Sequence, residues 1–292
     1  MVPRPSQGAD RKMISAKAEI HRNFSFFIFK KEFAVKYILK IKYIGTAYCG
    51  FQCQKNGVAV QNVLTDAAVR VFKCPCMVTG CSRTDSGVHA LGFCATVEPK
   101  EYAVIPAGKL HRAFSAFLPD DIAVVAAAVV DDSFHPRYSS KGKNYVYRIW
   151  DGPNEDPFKK KRTMRLTPAV TDAELLKMKA GAEHFLGRHD FSAFMAKGSK
   201  ITDPVRCVTE AEVYRDGDGC IVFSVSADGF LYNMVRIMVG TLVDVARGRI
   251  SPEDVAAVIE SGDRARAGIT APPEGLYLNE VFYEEGIDWK CE

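Results

Sequence analysis

The amino-acid sequence predicts an α+β fold made of two similar halves, each an α/β sandwich with an antiparallel sheet. Short alternating or apolar runs typical of β-strands recur along the chain, and segments with helical periodicity lie between them. In the first half their order is β-α-β-β-α-β, an arrangement common in α+β domains. Of the 292 residues, 47% are apolar and 25% charged, which is enough apolar material for a large core.

The first half begins at residue 35, where the pattern becomes regular. Residues 1–34 are basic and irregular and contain Pro3, Pro5 and Gly8, so we expect a disordered extension there. The N-terminal half then spans residues 35–135. Its predicted strands cover residues 35–44, 77–81, 93–97 and 122–130, and its predicted helices cover 58–72 and 106–117.

The second half, residues 136–292, repeats this scheme loosely. Thr171 has the right character for an N-cap, and the Asp-Gly-Asp-Gly turn at 216–219 predicts a hairpin. No residue-level repeat relates the halves, so their similarity rests on the order of elements. The predicted strands cover residues 144–150, 206–214, 220–226 and 276–283, and the predicted helices cover 171–186, 230–246 and 252–260.

The charge of the chain argues only weakly for a nucleic-acid partner. The net charge is +4, so the distribution of charge matters more than its sum. A basic run occupies residues 159–162. Further basic residues stand in other segments: Lys141, Lys143, Lys197, Lys200, Arg247, Arg249, Arg264 and Arg266. Such clusters are either ordinary solvated surface or, if the fold brings them together, a surface that follows phosphates.

The composition predicts a cytoplasmic protein without a metal site. No apolar run approaches the roughly 18–20 residues that span a bilayer, and no signal-peptide pattern is present. The nine cysteines are an odd number without a secretion signal, which argues against a disulfide framework. Their spacing fits neither common zinc arrangement, and phosphate-loop and dinucleotide fingerprints are missing. We therefore expect no metal and no cofactor.

The segment from residue 81 to 90 places charged side chains between two strand-like runs. Arg83 and Asp85 are two positions apart, and in an extended backbone such side chains project to the same side. An arginine fork there would keep the carboxylate ionised. An ionised, desolvated carboxylate can act as a nucleophile or a base. A purely structural Arg–Asp pair that closes a β-turn is equally compatible with this segment.

A second charged residue lies in the predicted helix 230–246. This helix is apolar on nearly every face, which indicates burial, yet it contains Arg236. A buried guanidinium needs an anion, and Asp244 is too far along the helix to supply one. Asp85 is the candidate partner. The alternative is an arginine that extends past Gly240 to solvent.

Two tyrosines and two histidines each have more than one interpretation. Tyr145 and Tyr147 share one face of a strand, where aromatic rings are either core residues or platforms for bases. His89 either orients the Asp85 loop or serves with Asp85 in a hydrolase, although no G-x-S-x-G motif accompanies it. His189 follows a predicted helix end and precedes apolar anchors, which favours a structural role.

The Asp85 loop also resembles the signature of a known family. Residues 82–90 read Ser-Arg-Thr-Asp-Ser-Gly-Val-His-Ala and closely resemble the G-R-T-D-A-G-V-H-A motif of the tRNA pseudouridine synthase A family. Departures at Ile44, Phe51 and Phe93 remove no catalytic group. The resemblance covers about residues 36–284. Other blocks similar to the family's motifs follow in order at residues 45–54, 60–61, 134–137, 145–147, 189–191, 234–236 and 270–276.

This resemblance implies an enzyme with the pseudouridine synthase fold, in which two halves meet around a central cleft. It implies isomerisation of uridine to pseudouridine at positions 38, 39 and 40 in the anticodon stem-loop of tRNA. The family works without a metal or cofactor, as a homodimer whose cleft binds tRNA, and is not associated with a membrane. Two other classes remain possible on the residues alone: a tRNA-binding protein without catalysis, and a cofactor-free hydrolase.

The resemblance also implies roles for individual residues. Asp85 matches the catalytic aspartate, whether it acts as a nucleophile on the sugar or as a base. Tyr145 matches the tyrosine that stacks on the target uracil, and Arg236 matches the basic residue that pairs with the catalytic carboxylate. Arg83 matches an arginine that holds the place of the flipped nucleotide, and Leu276 completes the substrate-binding set.

Overall fold

The computed structural model describes residues 35–198, 201–284 and 286–291, so the expected extension at 1–34 lies outside the described residues. Within the described ranges the chain forms a mixed α+β fold with ten β-strands and five α-helices. This confirms the predicted fold class. None of these five helices is long and apolar enough to cross a bilayer.

The five helices and eight of the strands follow one another in the predicted order, whereas the short strands at Met164–Arg165 and Gly187–Asp190 were not predicted. The strands are β1 (Lys36–Tyr43), β2 (Cys76–Gly80), β3 (His89–Pro99), β4 (Ile122–Val130), β5 (Ser140–Trp150), β6 (Met164–Arg165), β7 (Gly187–Asp190), β8 (Val205–Arg215), β9 (Ile221–Ala227) and β10 (Leu276–Tyr283). The helices are α1 (Val60–Phe72), α2 (Ala107–Ser115), α3 (Asp172–Glu183), α4 (Met234–Ala246) and α5 (Asp254–Ser261).

The strands of both halves belong to one sheet with the order β4-β1-β3-β10-β5-β9-β8-β7, in which β2 also pairs with β3 and β6 with β5. The last strand, β10, lies between the halves: it runs parallel to β3 and antiparallel to β5. Tyr277 pairs with His89, and Leu276 pairs with Tyr147. The end of the Asp85 loop and the strand that carries Tyr145 thereby flank β10 on opposite sides. The domain division at residues 135 and 136 stays a prediction.

The buried helix α4 carries Arg236, the cation that the sequence predicts to be buried. Of its 13 residues 10 are buried, and it packs against α3 and β5. Each buried Ile, Leu, Val or Met side chain contributes about 1.5–3 kcal/mol, so this helix is firmly held. It begins four residues later than predicted, because Asn233 has a left-handed backbone (φ 61°) that a right-handed helix cannot include.

The cap of α3 agrees with the sequence-based prediction. The Thr171 hydroxyl accepts a hydrogen bond from the Glu174 amide, and the Glu174 carboxylate accepts one from the Thr171 amide. This reciprocal capping box satisfies two amides that the first helical turn would leave without partners.

Candidate active site

The Asp85 loop, residues 82–88, connects β2 to β3 and is fixed from behind. The Thr84 carbonyl accepts a hydrogen bond from the Phe51 amide, and the Thr84 hydroxyl lies 2.9 Å from the Tyr43 hydroxyl. Gly50, at φ +85°, lies so close to this loop that a Cβ there would be 2.2 Å from the Thr84 carbonyl oxygen. Only glycine allows this approach, which holds the residue next to Asp85 in place.

His89 links the loop to both neighbouring strands. The Gly45 amide donates to its Nδ1 at 3.0 Å, so the ring proton is on Nε2, which donates to the Glu274 carbonyl at 3.2 Å. The ring is 1% exposed and stacks on Tyr277 with centroids 4.7 Å apart. Burial lowers the pKa of His89 below its ordinary value. Because both ring nitrogens are engaged, His89 orients the loop and offers no free atom to a hydrolase mechanism.

Asp85 and Arg236 form the ion pair that was predicted from the position of Arg236 in an apolar helix. One Arg236 Nη atom lies 3.1 Å from Asp85 Oδ2, and the same nitrogen donates to Asn233 Oδ1 at 2.8 Å. Arg236 Nε donates to the Ala271 carbonyl at 2.7 Å. The Arg236 side chain is 14% exposed. The guanidinium therefore reaches Asp85 with a fixed orientation rather than extending to solvent.

Gly240 explains how the Ala271 carbonyl comes within reach. A Cβ at residue 240 would lie 1.8 Å from the Ile269 carbonyl oxygen, so the segment that precedes β10 packs directly on the backbone of α4. The Ala271 amide also donates to the Arg236 carbonyl. This contact places one acceptor for the guanidinium next to the helix.

The prediction that Arg83 pairs with Asp85 is wrong. Arg83 is exposed, and among the described residues the ion pair of Asp85 is with Arg236. The rule that alternate side chains share a face holds for strands, whereas residues 83–85 lie in the loop between β2 and β3. Nor is the carboxylate desolvated: about a third of the Asp85 side chain is exposed.

The two tyrosines of β5 have different roles. Tyr147 is fully buried and donates to the Pro272 carbonyl at 2.7 Å, so it belongs to the core. Tyr145 is 7% exposed and contacts the edge of Phe230 at 4.9 Å. Its hydroxyl lies 3.4 Å from the Ser82 hydroxyl, and burial raises its pKa, so the phenol is neutral. Its ring lines the cleft into which Asp85 opens.

This cleft has a volume of about 1140 Å³, larger than the roughly 300–1,000 Å³ of typical small-molecule pockets. Arg83, Asp85, Tyr145 and Leu276 all line it, and Arg236 contacts Asp85 from α4. The structure thus brings together the five residues that the resemblance singled out. Its size suits part of a polymer better than a small metabolite.

Comparison with known proteins gives the family. The family model described as tRNA pseudouridine synthase matches residues 40–139 and 182–284. The chain belongs to the tRNA pseudouridine synthase family. It is an isomerase that acts on tRNA, and the resemblance seen in the sequence is confirmed.

Curated relatives share most of the chain. It is 42% identical over 245 residues to tRNA pseudouridine synthase A of Ruminiclostridium cellulolyticum, covering 84% of this chain and 98% of the relative. It is 44% identical over 246 residues to the protein of the same name from Thermoanaerobacter sp. (strain X514), with the same two shares covered. To that of Exiguobacterium sp. (strain ATCC BAA-1283 / AT1b) it is 41% identical over 251 residues, covering 85% and 97%.

Several of the predicted basic residues of this synthase contact acidic or aromatic side chains of the same chain. Lys159 lies 3.5 Å from the centre of the Trp150 ring and pairs with Asp156. Other predicted cations are engaged in ion pairs elsewhere: Lys141 with Glu284, Arg247 with Glu174, and Arg249 with Asp244. Lys200 lies outside the described residues. Of the predicted set, Lys143 lines the cleft, and the other basic residues there are Arg83, Arg137, Arg188 and Arg206.

Several cleft residues carry no signal in the sequence. Phe230, Tyr232, Arg188 and Arg206 lie in unremarkable segments and reach the cleft through the pairing of β7, β8 and β9. The His189 ring, by contrast, donates to the Leu186 carbonyl at 2.7 Å, which agrees with its predicted structural role. Within the described ranges no group of three His, Cys, Asp or Glu side chains is arranged to hold a metal ion.

Proposed function

We propose that this synthase isomerises uridine to pseudouridine at positions 38, 39 and 40 in the anticodon stem-loop of tRNA, with Asp85 as its catalytic residue and without a cofactor. The observation that supports this most strongly is the Asp85 carboxylate, oriented by Arg236 and open to the cleft that the Tyr145 ring lines. The position within tRNA rests on the family resemblance.

The reaction exchanges one bond for another within the same nucleotide. The N1–C1′ bond of uridine breaks, the uracil turns, and a C5–C1′ bond forms; C5 loses a proton and N1 gains one. No atom is added and no electron is transferred, so the balance needs no oxidant, reductant or water. Asp85 suits either the attack on the sugar or the transfer of the proton, because a carboxylate can act as a nucleophile or a base and the guanidinium of Arg236 fixes its orientation.

The target base has to leave the helical stack before Asp85 can reach its sugar. Extruding a base costs a few kcal/mol, and stacking on an aromatic ring returns about 1–3 kcal/mol per base. Tyr145 supplies such a ring, already packed against Phe230 at 4.9 Å and hence fixed in place. The uracil then lies beside the carboxylate that acts on its sugar.

The proposal includes a homodimeric enzyme that works in the cytoplasm and not at a membrane. This part rests on the family resemblance alone. Light scattering coupled to size exclusion should give twice the 32.3 kDa mass of the chain. The mass of a monomer would contradict the proposed dimer and would leave the proposed reaction unaffected.

The decisive test is Asp85→Asn, with tritium release from 5-tritiated uridine in an anticodon stem-loop as the measure of turnover. We expect a loss on the order of 10³-fold or more, as for removal of other catalytic groups, while the affinity for the RNA changes little. The matched control is Asp132→Asn, at an exposed aspartate, which should keep the parent rate.

Other results would favour the competing classes. Parent-like turnover by Asp85→Asn would reject Asp85 as the catalyst. RNA binding without any tritium release by the unsubstituted enzyme would favour a binding protein. Loss of turnover in His89→Ala but not in Asp85→Asn would favour the hydrolase.

A further inference from the structure

Lys143 is a buried cation in the cleft with no carboxylate to balance it. The residue is 9% exposed and lies on β5, two positions before Tyr145. Its Nζ contacts the Ser140 hydroxyl at 3.4 Å, a long hydrogen bond. Within the described part of the chain it forms no ion pair, whereas Lys141 on the same strand pairs with Glu284 at 2.8 Å.

The groups around Lys143 do not supply a negative charge. Cys81 and Cys94 are buried thiols, and burial raises the pKa of Cys81 to about 12, so they are neutral. Arg137, which lines the same cleft, is positive. Burial lowers the pKa of Lys143 itself. The carboxylates that line the same cleft, Asp85, Asp203 and Asp228, form no ion pair with Lys143 among the described residues, so its ammonium group has no bound counter-ion there.

An ammonium group taken from water without a counter-ion is costly to hold, and the cost falls when an anion arrives. Uracil and ribose are neutral, so the anion that tRNA can offer inside the cleft is a backbone phosphodiester. We propose that Lys143 binds a phosphate next to the everted uridine. This inference rests on the proposed function, because it assumes that the RNA enters the cleft lined by Asp85 and Tyr145.

The test measures binding of stem-loop RNA to an inactive Asp85→Asn enzyme, so that turnover plays no part. Single methylphosphonate linkages remove one phosphate charge at a time on either side of the target uridine. We expect one linkage to weaken binding about 5- to 20-fold when Lys143 is present, and no further loss at that linkage in Lys143→Met. Lys141→Met is the matched control and should keep the full linkage effect.

A merely structural lysine would behave differently in two further measurements. Lys143→Met should melt at the same temperature as its parent or higher, because the substitution removes a desolvated charge. Its RNA binding should depend less on salt: the slope of log binding constant against log salt concentration should be smaller in magnitude by about 0.7–0.9. The linkage effect should fade as pH rises past the lowered pKa of Lys143, whereas Lys143→Arg should keep it.

Additive losses at every linkage, or parent-like binding by Lys143→Met, would overturn the proposal. If Lys143→Met does not fold, a linkage effect that is independent of pH in the Lys143 enzyme would overturn it instead. Failure of the proposed function has another signature, since the unsubstituted enzyme would then bind the stem-loop poorly or release no tritium from it.

Discussion

Two charged regions of the cleft differ in how their charges are balanced. Asp85 meets Arg236 at 3.1 Å, and that guanidinium has two further acceptors, Asn233 and the Ala271 carbonyl. Lys143 has the Ser140 hydroxyl at 3.4 Å and no carboxylate within the described residues. The region around Asp85 is thus assembled before substrate binds, whereas Lys143 has no counter-charge of its own among the described residues. Under the two proposals above, the group that does the chemistry is fixed by internal contacts, and the group that holds the RNA receives its counter-ion with the substrate.

Among the substitutions that test this difference, we expect the largest loss of rate at Arg236. Arg236→Met removes the internal partner of Asp85, and displacement of a catalytic group by about 1 Å can cost roughly 10²-fold in rate. We expect kcat to fall by that amount with little change in KM, measured by tritium release. Arg236→Lys should recover part of the rate only, because an ammonium cannot serve all three acceptors in the same plane.

The control for this prediction is Arg249→Met, which breaks an ion pair with Asp244 at a side chain that is 73% exposed. It should keep the parent kcat. An unchanged kcat in Arg236→Met would show that the loop, rather than the ion pair, orients Asp85.

A smaller effect is expected at Tyr145, where two substitutions separate the contribution of the aromatic ring from that of the hydroxyl. Loss of aromatic stacking in Tyr145→Leu should weaken RNA binding about 10- to 100-fold in the Asp85→Asn background. Tyr145→Phe should bind like the parent, since the hydrogen bond that its hydroxyl makes to a described residue is long, 3.4 Å to Ser82. Weak binding by Tyr145→Phe would instead assign the hydroxyl a direct contact with the base.

The smallest effect concerns stability and His89. Its pKa is lowered by burial, so below the ordinary value of 6.5 the unfolded chain binds more protons than the folded one. The free energy of unfolding should therefore fall as pH drops through 6.5 and onward to the lower native pKa. In His89→Gln, which retains a donor and an acceptor, this fall should be reduced.

Urea unfolding of the parent and of His89→Gln, at pH 8 and at several lower pH values, measures how the free energy of unfolding of each depends on pH. The control is His184→Gln, at the half-buried residue that follows α3, which should keep the parent profile. An identical acid profile in His89→Gln would show that other groups account for the loss of stability.

The sequence pattern was sufficient to predict those features of the structure that depend on residues close together in the chain. The capping box at Thr171, the strands β1 and β4, and the burial of α4 all follow from residues near one another in sequence. The partnership of Asp85 and Arg236, 151 positions apart, was also predicted, because a cation in an apolar helix has few possible partners.

Prediction failed where the outcome depended on distant elements. The proposed Arg83–Asp85 pair does not form among the described residues, because Arg236 from a distant helix holds the Asp85 carboxylate. The basic run at 159–162 looked available for phosphates, yet Lys159 packs on Trp150. Whether a cation is free depends on which carboxylates the fold brings near it, and sequence spacing does not give that distance.

The sequence by itself determined the α+β class, the family and the partnership of Asp85 with Arg236, because periodicity, motif spacing and a cation in an apolar helix are all visible in the residue pattern. Only the tertiary structure decided the single sheet, since β10 had to lie between β3 and β5 to join the halves. It also decided which side chains share the cleft, and that Lys143 is buried there without an anion. Burial and charge balance are set by all the elements that surround a side chain, and the folded chain alone brings these elements together.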